Sequence, residues 1–161
     1  VSSRPTKRLA LTLALAACAM GCALQLGRAP SSVASVALGP VVVGVPEPGL
    51  QEDLGRALAR TLATRVAVGV GPLVSARVLS SRVSPVGPGG DTWEAQLSIR
   101  FSLETDPAVV VELQDTLLFQ GTPDSWQTTS SARAAALGSL AERLCGRAVP
   151  LLLGPAKGSQ P

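Results

Sequence analysis

The chain has 161 residues, room for one domain of about 140 residues behind a short leader. Apolar residues make up 46% and aromatics only 2%, so any core must be built from Val, Leu and Ala, with few rings to stack on bases or sugars. Three of the 14 basic residues, Arg4, Lys7 and Arg8, lie in the first eight positions. The remaining 11 balance the 11 acidic ones, which leaves no general field for a phosphate backbone and no nucleic-acid partner to expect. There is no histidine, which removes the commonest general base, the commonest zinc ligand and every Ser-His or Cys-His pairing.

Residues 1–8 are short, polar and basic, and residues 9–17 (LALTLALAA) are apolar and uncharged. This is the layout of a secretory signal, and the run is too short for a membrane span of about 20 residues. Leu15-Ala16-Ala17-Cys18 resembles the bacterial lipobox, in which small residues precede a cysteine that is acylated and becomes the new N-terminus. Ala19-Met20-Gly21-Cys22 is the alternative, with a bulky Met20 where a small residue fits better. Cys18 is therefore the first choice and Cys22 the second. Each is followed by alanine rather than aspartate, which by the sorting rule for such proteins favours the outer membrane, facing the periplasm. Two or three acyl chains on one sulfur would hold the body to a membrane, since each buried methylene contributes about 0.8 kcal/mol. Cys145 has no partner if the early cysteines are acylated or removed, and its neighbours Ala141 and Leu144 mark it as a small core residue.

The first 22 residues thus read as signal and lipidation region, residues 23–32 as a tether, 33–153 as one α+β domain and 154–161 as a disordered tail. Residues 33–45 are β-branched and apolar, with Gly39-Pro40 marking an interruption or bulge in a first strand. In residues 50–66, Leu50, Leu54, Leu58 and Leu62 recur every fourth position and predict a helix. Glu47, Glu52 and Asp53 near its start and Arg60 and Arg65 near its end complement the helix dipole. Residues 73–83 form a less regular strand after Gly69, Gly71 and Pro72, and residues 85–91 a loop. Residues 92–104 alternate without exception: Trp93, Ala95, Leu97, Ile99, Phe101 and Leu103 against polar neighbours. One face of this strand is buried and the other wet, as in an antiparallel sheet covered on one side.

Residues 109–119 return with Val109, Val111, Leu113, Leu117 and Phe119 on one face. Asp115 interrupts that face, at a bulge or the sheet end, or as an inward functional carboxylate. A polar loop containing Trp126 leads to a second helix over residues 131–148, capped by Ser130 or Ser131 and ended by Pro150. The expected fold is α+β: two helices packed on one face of a mostly antiparallel four-stranded sheet, in the order β-α-β-β-β-α.

That order, the early cysteine and several phrases resemble the LptE-type lipopolysaccharide-assembly lipoproteins. Cys22 to Gly27 (CALQLG) is similar to the family's opening, with Ala23 and Leu24 in place of its glycine and aromatic, and this phrase favours Cys22 as the acylated residue. Glu47-Pro48-Gly49-Leu50 resembles the family's entry into its first helix, residues 93–103 its long strand and 133–147 its final helix. The resemblance implies a role without catalysis, cofactor or metal. The protein would be a plug or partner of an LptD-like outer-membrane β-barrel, assisting lipopolysaccharide transport and assembly. Arg77, Arg82 and Arg100 are the candidate contacts to lipopolysaccharide phosphates. An auxiliary lipoprotein of an ABC-type lipid transporter and a structural lipoprotein are the alternatives. An enzyme is not expected: Ser80, Ser81, Ser130 and Ser131 sit in no nucleophile elbow, and Glu52/Asp53 and Glu104/Asp106 suit a helix start and a turn.

Overall fold

The computed structural model describes residues 23–26, 33–87, 91–121 and 126–154. Strand β1 is Ala23–Leu26, β2 Ser35–Val43, β3 Ala67–Pro85, β4 Thr92–Leu103 and β5 Val109–Gln120; helix α1 is Leu50–Ala63 and α2 Trp126–Leu153. The sheet order is β1-β5-β4-β3-β2. Both helices pack on one face of this sheet, α1 against β2 and β3 and α2 against β4 and β5. The fold is α+β, as the periodicities require.

The predicted inward row of β4 is the centre of the core. Ala95, Leu97, Ile99, Phe101 and Leu103 are all fully buried, between Ala76 and Val78 of β3 and Val111 and Leu113 of β5. The α1 stripe of Leu50, Leu54, Leu58 and Leu62 meets the stripe of α2 that includes Leu137, Leu140, Leu144 and Leu152. Burial of these chains supplies the main favourable free energy. α1 starts from Gly49 at φ 79° with no side-chain cap and ends at Ala63, so the 64–66 segment expected to be helical is the turn into β3.

Several boundaries differ from expectation. The sheet is mostly antiparallel, as expected, with one parallel pair, β2 and β3, joined through α1. Apolar patterning marks a buried face but does not encode the direction of a partner strand. The sheet also has a short fifth strand, because Ala23–Leu26, inside the span expected to be a tether, pairs with β5 from Ala23↔Leu113 to Leu26↔Val110. β3 is one strand of 19 residues rather than a short one after a broken start. Its first residues pair with Ser35 and Val36, and the register then jumps from Val36↔Val68 to Ala37↔Leu73. Gly69 to Pro72 are the extra residues of that jump. The interruption expected at Gly39-Pro40 is present as the register shift between Leu38 and Val41. β2 is an edge strand, where a proline is tolerated.

α2 is longer than expected at both ends. It runs through Pro150 and stops at Leu153, followed by Gly154 at φ 76°. Pro150 lies in the last turn, where Leu152 and Leu153 are buried against the core, and that packing outweighs the lost backbone hydrogen bond. At 28 residues the helix is about 42 Å long, close to the roughly 40 Å of a 12-residue strand, so it spans the full height of the sheet. The signal region of residues 1–22, residues 27–32 of the tether, residues 88–90 and 122–125 of the two loops, and residues 155–161 of the tail lie outside the described residues.

Candidate interaction surfaces

The outer face of the sheet carries no helix among the described residues. On it the register sets Ser75 opposite Ser102, Arg77 opposite Arg100, Ser80 opposite Ser98 and Arg82 opposite Gln96. On the next strand Thr116, Gln114 and Glu112 face Gln96, Ser98 and Arg100. The structure therefore brings Arg77, Arg82 and Arg100 to one face. Arg77 and Arg82 are an odd number of residues apart and would point to opposite faces of a regular strand. The register shift between Val78 and Ser80 adds one residue and returns Arg82 to the side of Arg77. Arg100 is held by Glu112 at 2.6 Å, which offsets the like charge of Arg77 across the strand pair. Ser75 and Ser102 share a hydrogen bond of 2.7 Å. The face is thus an array of hydroxyl and amide groups with three arginines and the carboxylates of Glu94 and Glu112, suited to polar contact.

The helix side offers a cleft of about 520 Å³ where the starts of α1 and α2 approach, lined by Pro46, Glu47, Leu50, Ser130, Ser131 and Arg133. Glu47, only 9% exposed, accepts a hydrogen bond from the Ser81 hydroxyl at 2.9 Å and an ion pair from Arg133. Its sequence position suggested only a charge near a helix start. Its role in tying the β2–α1 connection to β3 and α2 depends on partners 34 and 86 residues away. A shallower groove between the helices is crossed by Arg60–Glu142 and flanked by Arg56–Asp53, both at 2.6 Å and both exposed, so each adds little stability.

Asp115 is not at a bulge. It pairs in register with Leu97 and points toward the helix layer, 14% exposed. Its Oδ2 lies 2.8 Å from Arg143 and 3.8 Å from Arg147, and its Oδ1 accepts the Thr116 N–H at 2.9 Å. The carboxylate serves as the anchor of an ion-pair cluster between β5 and α2. Among the described residues no group of His, Cys, Asp and Glu could hold a metal ion, and no helix is long and apolar enough to cross a membrane. Cys18 and Cys22 lie outside the described residues.

Cys145 is fully buried. Burial first, and Glu142 second, push its thiol up to about 12 from 9.0. The unfolded chain loses this proton above pH 9 while the folded one keeps it. The thiol's contribution is therefore complete below pH 9 and is lost as pH rises from 9 toward 12, at up to about 1.4 kcal/mol per pH unit. Urea unfolding of the wild type and of Cys145→Ala between pH 8 and 11 should show a steeper alkaline loss in the wild type. Parallel curves would rule this out.

No protein-family model matches the sequence, and no curated protein matches it significantly. Solved structures do share its architecture. A minor lipoprotein of Acinetobacter baumannii superposes with a TM-score of 0.52 at 14% identity, over 82% of this chain and 100% of the other. A Caulobacter crescentus protein described as a candidate lipoprotein gives 0.53 at 14% identity, over 72% and 86%. The fold is one that bacterial lipoproteins use. PelC of Paraburkholderia phytofirmans, crystallised as a dodecamer, gives 0.52 at 19% identity, over 84% of this chain and 99% of the other. At these identities the likeness is one of fold alone.

Proposed function

We propose that this chain is an outer-membrane lipoprotein that works by contact, assisting lipopolysaccharide transport and assembly as the plug or partner of an LptD-like β-barrel. The observation that carries the reading is the sheet face left uncovered among the described residues, polar throughout its centre and bearing Arg77, Arg82 and Arg100 opposite a fully apolar core. Such a face suits a hydrated barrel lumen, and guanidinium groups suit lipid phosphates. The leader with its lipobox and the fold it shares with lipoproteins support the anchor. Chemistry is not part of the proposal, nor is a cofactor beyond the covalent lipid; the chain has no histidine for acid–base work.

A second reading has its own observation. Leu38, Val42, Val68, Val70 and Leu79, most of the exposed large apolar residues, lie on β2 and β3 at one side of the sheet. β2 itself carries no charge to protect its edge. On this reading copies of the chain associate there; PelC, which shares the fold, crystallises as a dodecamer.

One experiment separates the readings. The protein is extracted gently from outer membranes, captured through a C-terminal tag and measured by intact mass. An acylated N-terminus at Cys18 or Cys22, together with a barrel protein and lipopolysaccharide, is the expected result. An acylated protein recovered only as copies of itself favours the second reading. An unmodified, uncleaved leader overturns both.

A further inference from the structure

Resting on the reading that the uncovered sheet face meets lipid phosphates, we propose a single site on it. Arg77 and Arg82 take one lipid phosphate between them over Ser80 and Ser98. The lipid's alkyl chains lie on Leu79 and Val42, and Arg100 makes no contact with the ligand.

The three arginines are not equivalent. Arg100 is committed: its Nε and Nη2 both reach Oε1 of Glu112 at 2.6 Å, tying β4 to β5. An anion that drew it away would leave that carboxylate without its partner. Arg77 and Arg82 are exposed and hold no ion pair or hydrogen bond among the described residues. They can meet an anion with nothing broken inside the protein.

The register sets their spacing. Arg77 lies opposite Arg100 and Arg82 opposite Gln96, so they are four rungs apart, about 13 Å, although five positions separate them in sequence. The outward rung between them is Ser80 opposite Ser98. Each arginine is about 7 Å from that rung along the strand, a distance that long side chains span. Neither serine hydroxyl holds a hydrogen bond among the described residues, whereas Ser75 and Ser102 bond each other. Two guanidiniums and two hydroxyls thus flank one place, with donors enough for a phosphate. Glu94 stands one outward rung beyond Arg82, opposite Ser84, and pairs with neither arginine. The phase of the strand is fixed from its other side: Ser81 donates to Glu47 at 2.9 Å and Val83 packs against the core. Those two contacts keep Arg82 outward.

Leu79 is the extra residue of the register shift, between buried Val78 and outward Ser80, and is 39% exposed. Val42 of β2, 43% exposed, is the register partner of Arg77 and so lies on the same face. The arginine pair therefore borders an apolar patch toward β2 and the amides of Gln96 and Gln114 toward β5. Inorganic phosphate has no use for that patch. A phosphate esterified to alkyl chains covers both, which assigns the site to a lipid.

The test uses the full-length protein in a neutral detergent, titrated calorimetrically with dihexanoylphosphatidic acid below its micellar concentration and, separately, with inorganic phosphate. Arg77→Gln and Arg82→Gln are each expected to weaken lipid binding about tenfold. The charge-neutral double variant Arg100→Gln with Glu112→Gln should bind within about twofold of the wild type. Leu79→Ser should weaken binding of the lipid about threefold and leave that of phosphate unchanged. Unfolding in urea checks that every variant is folded. Unchanged lipid binding in Arg77→Gln and Arg82→Gln overturns the site, as does an equal loss in the Arg100 and Glu112 double variant. Inorganic phosphate bound as tightly as the lipid, with Leu79→Ser without effect on either, overturns the assignment to a lipid. Wild type that brings down a barrel and lipopolysaccharide but binds no dihexanoylphosphatidic acid overturns the site alone. Wild type that binds this lipid through Arg77 and Arg82 but brings down neither supports the site and overturns the reading on which it was built.

Discussion

Phe101→Ala is expected to lower the unfolding free energy by about 3–5 kcal/mol, which a domain of this size can barely sustain. Phe101 is fully buried in the middle of β4, one of only two phenylalanines in the chain. Its strand neighbours are Ala76 and Val111, too small to fill the space that a lost ring would leave. The loss combines the transfer free energy of the ring with the cavity that remains. Urea unfolding followed by circular dichroism measures it. Leu38→Ala, at a residue 42% exposed, serves as the control and should change stability by no more than about 0.5 kcal/mol. A change below about 1 kcal/mol for Phe101→Ala would mean that the Val, Leu and Ala core closes around the void.

Gly71→Ala is the second large effect. Gly71 has φ 152°, and a Cβ built on it would stand 2.4 Å from the Ser35 carbonyl oxygen and 2.9 Å from its carbon. Both partners are backbone, so neither can swing aside, and the extra residues of β3 must move off the start of β2. A loss of about 1–3 kcal/mol is expected, from strain and from weakened pairing. Hydrogen exchange should quicken at Ser35 to Ala37 while β4 and β5 stay protected. Gly69→Ala, where a Cβ meets nothing within 4 Å, is the matched control. Equal effects at the two glycines would show that the close approach at Gly71 does not hold β2 in place.

The difference between those two glycines also illustrates what could be read in advance. Both were visible as breaks in a strand pattern, and nothing local distinguishes them. Only the position of Ser35, brought alongside from a distant part of the chain, makes one of them obligatory. The same holds for the arginine face. Arg77, Arg82 and Arg100 could be named from the sequence as solvated candidates. That they share a face depends on the register shift at Leu79, which sequence spacing argues against. Glu47 and Asp115 were visible as carboxylates, but their ion-pair partners come from α2.

The layers are legible in the chain alone: the strict alternation of β4, the four-residue stripe of α1 and the apolar face of α2 each require one buried side, and together they impose two helices on one side of a sheet. The parallel pairing of β2 with β3, the addition of Ala23–Leu26 as an edge strand and the passage of α2 through Pro150 arise from contacts between distant segments. Periodicity records which side of an element meets water, a local property. Strand direction, edge pairing and the continuation of a helix past a proline depend on which distant neighbour supplies the compensating contacts.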